Sequence, residues 1–198
     1  MFSAAMNFMQ LTLSNRKAQP IGRISLDNSG ASQQSYPFPE VAALAPGQSM
    51  AVQLHVDFGG STSPARFTIK HDGGSFPLAV VPPAGELVRP AMMSEPEFLA
   101  KQAGLGGMHE CKSAFASTSA AMAAGRVVQM CNLAIVASAA DFASSGTARF
   151  AGETLQGSQQ LLVTITANFA SGQGVVQVNC ADPMFGSSVA GFIAAGLR

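Results

Sequence analysis

A change of hydrophobic periodicity near residue 82 constrains the fold more than any other feature of this sequence. In "MAVQLHVDF", the apolar residues Val52, Leu54, Val56 and Phe58 alternate with polar ones. A period of two is typical of a strand with one face in a core and the other in water. Turn-rich stretches separate further strand candidates, which are "MQLTLS", "IGRISL", "ARFTIKH" and "FPLAVV". Short alternating strands with no helical segment between them predict an antiparallel β-sandwich.

Helix signals begin after residue 90. Ser94 and Glu97 have the spacing of a capping box, in which the serine accepts an N–H bond and the glutamate reaches back. The glycines that follow predict the end of this helix, and they are Gly104, Gly106 and Gly107. We expect a second helix over about residues 118–130, capped by Ser117 or Thr118.

The rest of the chain predicts strands and then a final helix. Four strand candidates follow residue 130, which are "NLAIVAS", "TARFAGETL", "QQLLVTITANF" and "GVVQVNC". Asp182 is a good N-cap for the last helix, and Pro183 falls at its first position. One apolar stripe runs along this helix, formed by Phe185, Val189, Phe192, Ile193 and Leu197. The sequence therefore predicts an all-β part followed by an α+β part. Residues 1–88 are expected to form an immunoglobulin-like β-sandwich subdomain, which could lack its first strand. Residues 89–198 are expected to form an α+β platform subdomain, an antiparallel sheet with helices.

Composition and charge exclude several classes of function. The 198 residues are 47% hydrophobic and 11% charged, and the formal net charge is zero. A nucleic-acid-binding protein needs a positive surface against phosphate, and this sequence has no basic run. No apolar run approaches the roughly 20 residues that span a bilayer, and the N-terminus is a poor signal peptide. Three cysteines without a CxxC pair are expected to be buried, reduced thiols: Cys111, Cys131 and Cys180.

Candidate catalytic residues are few. His55 lies on the polar face of a predicted strand and His71 in a turn-like segment, so both are expected to be ordinary polar residues. In "MHEC", His109, Glu110 and Cys111 are adjacent, which leaves open a small cytosolic enzyme or a metal-binding protein that uses the His109/Cys111 region. Neighbouring strand residues point to opposite faces, so this trio is poorly placed to share a ligand. We therefore expect no catalytic, cofactor-binding or metal site, and no cofactor.

Exposed aromatic anchors are also scarce in the sequence. There is no tryptophan and one tyrosine, Tyr36, which we expect in a loop packed over the sandwich edge. The methionine-rich N-terminal strand is expected to belong to the core rather than to a binding surface.

The central segments resemble a known family. They are "LAPGQS" before a strand, "VDFGGSTSPARF", "PPAGEL", and "MSEPEF" leading into "GLGGMHE". "LQGSQQLLVTI" and "GSSVAGFIAAGL" fit the same pattern more loosely. Together they resemble the C-terminal appendage, or ear, of the beta subunit of the third adaptor-protein complex, a beta-adaptin. The resemblance implies an immunoglobulin-like β-sandwich followed by a platform of antiparallel sheet and helices, with no enzymatic activity.

The same resemblance implies a function in vesicle-mediated protein transport. Such appendages bind accessory and coat proteins through short peptide motifs, while other parts of the subunit hold the remaining subunits of the complex. The protein would then be cytoplasmic and peripheral on Golgi or endosomal vesicles, reaching the membrane only through its complex, with cargo sorted toward the lysosome or vacuole. Because better-known beta appendages have a tryptophan in their platform pocket and this chain has none, no peptide-binding residues carry over. We expect the peptide site on platform residues after Met108, and the residues do not support clathrin binding.

Overall fold

The alternating segments of the first half form antiparallel strands, as their periodicity predicts. The computed structural model describes residues 6–31, 33–117, 122–136 and 139–198. The chain divides into two compact units, one ending at Pro82 and the other beginning at Pro83. We call them the sandwich unit and the platform unit. The sequence predicted this division after residue 88, whereas in the structure Val88 already pairs with Thr154 of the platform unit.

Two antiparallel sheets make up the described part of the sandwich unit. Their strands are β1 (Met6–Ser14), β2 (Ile21–Asp27), β3 (Gln34–Tyr36), β4 (Val41–Leu44), β5 (Ser49–Asp57), β6 (Ala65–His71) and β7 (Gly74–Val80). One sheet has the order β1-β5-β3 and the other β4-β2-β6-β7. The inward residues of β5 and β6 are buried between them, including Leu54, Val56, Phe67 and Ile69.

Two short strands of this unit were not predicted. β3 lies in a segment that reads as a turn, and β4 has only one buried residue at each end. The prediction that Tyr36 lies in a loop was wrong, because Tyr36 is the last residue of β3 and its hydrogen-bonded partner strand is β5. A strand of three residues is too short to show a period, so its neighbour decides whether it pairs.

The platform unit alternates helices with strands of one antiparallel sheet. A 3-10 turn (Ala84–Leu87) and β8 (Val88–Pro90) precede α1 (Glu95–Gly104), a second 3-10 turn (Gly107–His109) and β9 (Glu110–Ala116). Then come α2 (Ala123–Met130), β10 (Ala134–Ile135), α3 (Ala139–Ser145), β11 (Thr147–Thr154), β12 (Gln160–Asn168), β13 (Gln173–Cys180) and α4 (Pro183–Gly196). The sheet has the order β10-β11-β12-β13-β9, and β8 also pairs with β11. The predicted fold class, a β-sandwich followed by an α+β unit, is confirmed.

The helix caps are those that the sequence predicts. The Ser94 side chain accepts the backbone N–H of Glu97 at the start of α1. Asp182 Oδ1 accepts the N–H groups of Met184 and Phe185, at 2.9 and 3.1 Å, at the start of α4. The predicted stripe of α4 is buried except for Phe192, which is half-buried, and the helix packs on β9 and β13.

The middle of the platform unit differs most from the predictions. Helix α2 begins at Ala123 without a side-chain cap. Ser117, one of the two proposed caps, follows β9 instead, and its N–H donates to the Gly172 carbonyl. The proposed cap Thr118 lies outside the described residues. The predicted strand "NLAIVAS" forms only the two residues of β10, and α3 was not predicted. A short apolar, alanine-rich stretch does not distinguish helix from strand, and here burial of Phe142 against Phe169 holds the helical turn in place.

Candidate binding surface on the platform sheet

Helices α1 and α4 cover opposite faces of the platform sheet. On β12 and β13, Val163, Ile165, Val176 and Val178 are fully buried on the face against which α4 packs. On the other face, Phe98 of α1 is fully buried among apolar residues of β11 and β12, which are Ala151 and Leu162. Burial of a phenylalanine side chain contributes about 1.5–3 kcal/mol, so this contact fixes α1 on the sheet.

The strand register arranges the α1 face into three rows of side chains. The first row, beneath α1, contains Ala151, Leu162, Asn179 and Glu110. The second contains Arg149, Thr164, Gln177 and Lys112. The third contains Thr147, Thr166, Val175 and Ala114, and of these Thr166, Val175 and Ala114 are exposed.

Hydrogen bonds tie α1 to the first two rows. Gln102 Nε2 donates to Thr164 Oγ1 at 3.1 Å and to Asn179 Oδ1 at 3.0 Å. The Asn179 side chain is fully buried, and its Nδ2 donates to the Leu105 carbonyl at 2.7 Å. Gln177 Nε2 also donates to Asn179 Oδ1, at 3.1 Å. Because a buried amide is costly without partners, these bonds set the distance between the end of α1 and the sheet.

Two ion pairs flank this network. Lys112 Nζ lies 2.6 Å from Glu110 Oε1, and the Gln177 amide donates to Oε2 of the same carboxylate. The hydrogen bond from the Lys112 ammonium holds the pKa of the Glu110 carboxyl below its ordinary value, against the opposing effect of desolvation. Toward the opposite side of the sheet, Arg149 Nη1 lies 2.6 Å from Glu95 Oε1, which fastens the first turn of α1. Arg149 Nε is buried without a hydrogen-bond partner among the described residues.

The third row lies beyond α1 and opens into a groove of about 700 Å³. We call this surface the platform face and define it as Ala114, Ala116, Thr166, Asn168, Gln173 and Val175, all of which are exposed. Arg198 also lines the groove. A small apolar centre with amides around it offers both contact area and hydrogen-bonding groups to a ligand.

Gly174, which also lines this groove, leaves room for the Phe115 ring. A Cβ at Gly174 would lie 2.3 Å from the Phe115 Cζ and 2.7 Å from the Thr166 carbonyl oxygen. The Phe115 ring therefore packs directly on the backbone of β13, and a larger residue would displace it.

Within "MHEC", the structure separates Glu110 from Cys111. His109 ends a 3-10 turn, and Glu110 and Cys111 follow on β9 with their side chains on opposite faces of the sheet. Glu110 joins the α1 network, whereas Cys111 Sγ donates to the Pro183 carbonyl at the start of α4, at 3.3 Å. The expectation that all three cysteines are buried holds for Cys131 and Cys180, but Cys111 is half-buried.

The remaining candidates are two cysteines and two histidines. Burial raises the pKa of the Cys131 thiol to about 12, and burial also raises that of Cys180. His71 Nδ1 accepts the Gly73 N–H in a turn, and His55 is half-buried on the outward side of β5. Within the described ranges, no group of three or more His, Cys, Asp or Glu residues is placed to hold a metal ion. The described helices include none long and apolar enough to cross a membrane.

Sequence reasoning missed the amide network. The sequence contained one signal for this network: polar residues within two strand candidates, Thr164 in "QQLLVTITANF" and Gln177 and Asn179 in "GVVQVNC". The sequence did not show that they face Gln102, because that depends on the register between β12 and β13 and on the position of α1.

Comparison with known proteins places the platform unit in a family. Residues 85–197 match the family described as "AP-3 complex subunit beta-1, C-terminal domain". The chain belongs to this family. The matched residues cover nearly all of the platform unit, from its first 3-10 turn to the last residues of α4. The resemblance noted in the sequence is thereby confirmed.

Individual beta subunits show the same relationship. The chain is 32% identical to mouse AP-3 complex subunit beta-1 over 146 residues, which is 71% of this chain and 13% of that subunit. It is 41% identical to mouse AP-3 complex subunit beta-2 over 73 residues, 37% of this chain and 7% of that subunit. It is 28% identical to Arabidopsis thaliana AP3-complex subunit beta-A over 123 residues, 52% of this chain and 12% of that subunit. The chain thus spans only a small part of the length of these relatives.

Proposed function

We propose that this chain is a non-catalytic appendage of an adaptor-complex beta subunit and that it recruits accessory proteins. The observation that carries the proposal is the platform face, an exposed, partly apolar strip beyond α1 in the unit that matches the AP-3 beta family. The amide network beneath α1 keeps one border of that strip fixed. A fixed border lets a ligand bind without ordering the protein first.

The ligand in this proposal is a short extended peptide of an accessory or coat protein. Val175, Ala114 and Ala116 provide the apolar centre, Gln173 and Asn168 provide hydrogen-bonding groups, and Arg198 adds a positive charge at the groove. Such a small surface supports weak, transient complexes, with dissociation constants of about a micromolar or above.

The cellular role belongs to the same proposal. The names of the relatives support a place in an adaptor complex. The beta-adaptin resemblance implies that this complex forms a vesicle coat, which carries cargo from the Golgi or endosomes to the lysosome or vacuole. The chain would act at the cytoplasmic surface of these membranes and reach them through the other subunits of its complex.

Binding of peptides by the 198-residue chain tests the proposal. A panel of peptides from vesicle accessory and coat proteins is titrated into the labelled chain, and NMR shifts locate the site. We expect the largest shifts on the platform face. Val175→Arg is expected to weaken binding at least about tenfold, because a long charged side chain would fill the apolar centre.

Val128→Arg is the matched control for that variant. Val128 lies on α2 and is not among the residues that line the groove, and at 44% its exposure is close to the 38% of Val175. The control should bind as the unchanged chain does. Equal binding by both variants, or no shift on the platform face with any peptide of the panel, would overturn the proposal.

A further inference from the structure

Strand β9, at the end of the platform sheet, has one unpaired edge. In the sheet order β10-β11-β12-β13-β9, it pairs with β13 on one side, and no other strand of the described residues pairs with it. The seven residues of β9 extend over about 23 Å, since a strand rises about 3.3 Å per residue. The strand at the opposite end, β10, has only two residues. β9 is therefore the longer of the two terminal strands of this sheet.

The strand register shows which backbone groups of β9 point away from the sheet. The Ser117 N–H donates to the Gly172 carbonyl at 2.8 Å, and this pair continues the register in which Phe115 lies opposite Gly174. In an antiparallel pair, residues that exchange hydrogen bonds with the partner alternate with residues whose N–H and C=O groups point the other way. The outward-pointing residues of β9 are therefore Lys112, Ala114 and Ala116.

These outward groups are open to a ligand. Lys112, Ala114 and Ala116 are all exposed, and their outward N–H and C=O groups have no hydrogen-bond partner in the part of the chain that the structure describes. The strand contains no proline, and the ammonium of Lys112 is held beside Glu110. A row of unpaired donors and acceptors on an exposed edge is a template for a further strand.

We propose that an extended segment of a partner protein adds to β9 as a further antiparallel strand. In this mode of recognition, backbone hydrogen bonds provide affinity and alternate side chains provide selectivity. Every second side chain of the added strand would lie beside Ala114 and Ala116. The inference rests on the proposed function, because these two alanines belong to the platform face, and it specifies how a recruited peptide binds there.

The small residues of this edge favour bulky apolar side chains in the partner. Ala114, Ala116 and Val175 line the groove of about 700 Å³. A valine or leucine opposite each alanine would fill part of this groove and bury apolar surface. A second copy of β9 would bring only the same two alanines and Lys112 to the groove, and it would leave the groove largely unfilled. The occupant is therefore a partner segment in which bulky apolar and polar residues alternate.

Two isomeric methylated peptides test the backbone hydrogen bonds. The parent probe is Ac-Glu-Thr-Val-Thr-Val-Thr-Glu-NH2, which is titrated into the labelled 198-residue chain and followed by NMR. Hydrogen-bonded residues of an antiparallel pair have their side chains on the same face, so valines over the groove direct their N–H groups to β9. N-methylation of both valines should weaken binding at least about tenfold. N-methylation of the first two threonines changes N–H groups that face away and should leave the affinity unchanged.

Hydrogen exchange of the β9 amides gives a second readout on the unmodified chain. Without peptide, we expect slow exchange at Ser113 and Phe115, whose N–H groups pair with β13, and fast exchange at Lys112, Ala114 and Ala116. The parent peptide should slow exchange several-fold at these three outward amides. This alternation would not arise from a ligand that lies across the side chains without pairing with the strand.

A proline on the edge removes one donor from the chain itself. Ala114→Pro lacks the outward N–H, and proline is tolerated on edge strands where the N–H faces solvent. We expect it to bind the parent peptide at least about tenfold more weakly. Ala114→Ser keeps the N–H and a small side chain, so it is the matched control and should bind as the unchanged chain does. If Ala114→Pro does not fold, the methylated peptides and the amide exchange decide.

Several results would overturn the proposal. They are equal affinity of the two methylated isomers, unchanged exchange at the outward amides in the complex, or no shift of the platform face with the parent peptide. If sedimentation shows a dimer in which these amides are protected without peptide, a second copy covers β9 and the proposal is wrong. Natural peptides that shift the platform face while both isomers bind equally would reject strand addition but retain the recruiting function. The recruiting function itself fails if no peptide of the natural panel shifts that face.

Discussion

At the scale of single residues, Asn179 links α1 to the platform sheet. Its Oδ1 accepts from two glutamine amides and its Nδ2 donates to the Leu105 carbonyl. Asn179→Ala would remove these three hydrogen bonds, and we expect the free energy of unfolding to fall by about 1–3 kcal/mol. Urea denaturation measures the change. Gln173→Ala, at an exposed position of the same strand, is the control and should change the free energy of unfolding by less than about 0.5 kcal/mol. If Gln173→Ala lowers it as much as Asn179→Ala does, the hydrogen bonds of Asn179 are not the cause of the loss.

The Glu110 carboxyl is the second prediction at this scale. Its pKa is lowered mainly by the hydrogen bond and charge of Lys112. A carboxyl with a lowered pKa in the folded state stabilises the fold above its unfolded pKa, and that contribution disappears as pH falls through the folded pKa. We therefore expect Lys112→Gln to raise the pKa of Glu110. Carbon-detected NMR of the Glu110 side chain measures this change. Lys101→Gln, which breaks the Lys101–Glu97 pair on α1 instead, should leave the Glu110 titration in place.

At the scale of elements, the N-cap of α4 is a local device with a measurable effect. Asp182 accepts two backbone N–H groups that the helix itself cannot pair. Asp182→Ala is expected to lower the free energy of unfolding by about 0.5–2 kcal/mol, whereas Asp182→Asn should lose much less. Thermal and urea denaturation of both variants test this. A loss for Asn as large as that for Ala would show that charge, and not the capping oxygen, matters.

Elements differ in how well the sequence predicted them. Strands β5 and β6 were recognised because a strict alternation of apolar and polar residues runs through each. Helices α1 and α4 were recognised because their caps stand at fixed offsets. By contrast, β3 and β10 are too short to show a period, and α3 has no described cap signal. Such segments take the conformation that their neighbours impose.

At the scale of the whole molecule, the platform unit contains a complete sheet with helices on both faces. The strands from β8 to β13 pair only with one another in the described residues. We therefore propose that residues 83–198 fold as an independent domain and predict a cooperative unfolding transition and dispersed NMR signals for this fragment. Overlap of its signals with those of the 198-residue chain would support the proposal. A fragment that lacks fixed side-chain packing would contradict it.

The sequence by itself determined the two-part architecture, the caps of α1 and α4, and the resemblance to beta-adaptin appendages. These features depend on residues a few positions apart, so period and spacing reveal them. The tertiary structure alone decided that Gln102 meets Asn179, that Val175 lies uncovered on the platform face, and that β9 has one edge with no partner among the described strands. The reason is that each of these depends on strand register or on helix placement, which join residues far apart in the chain.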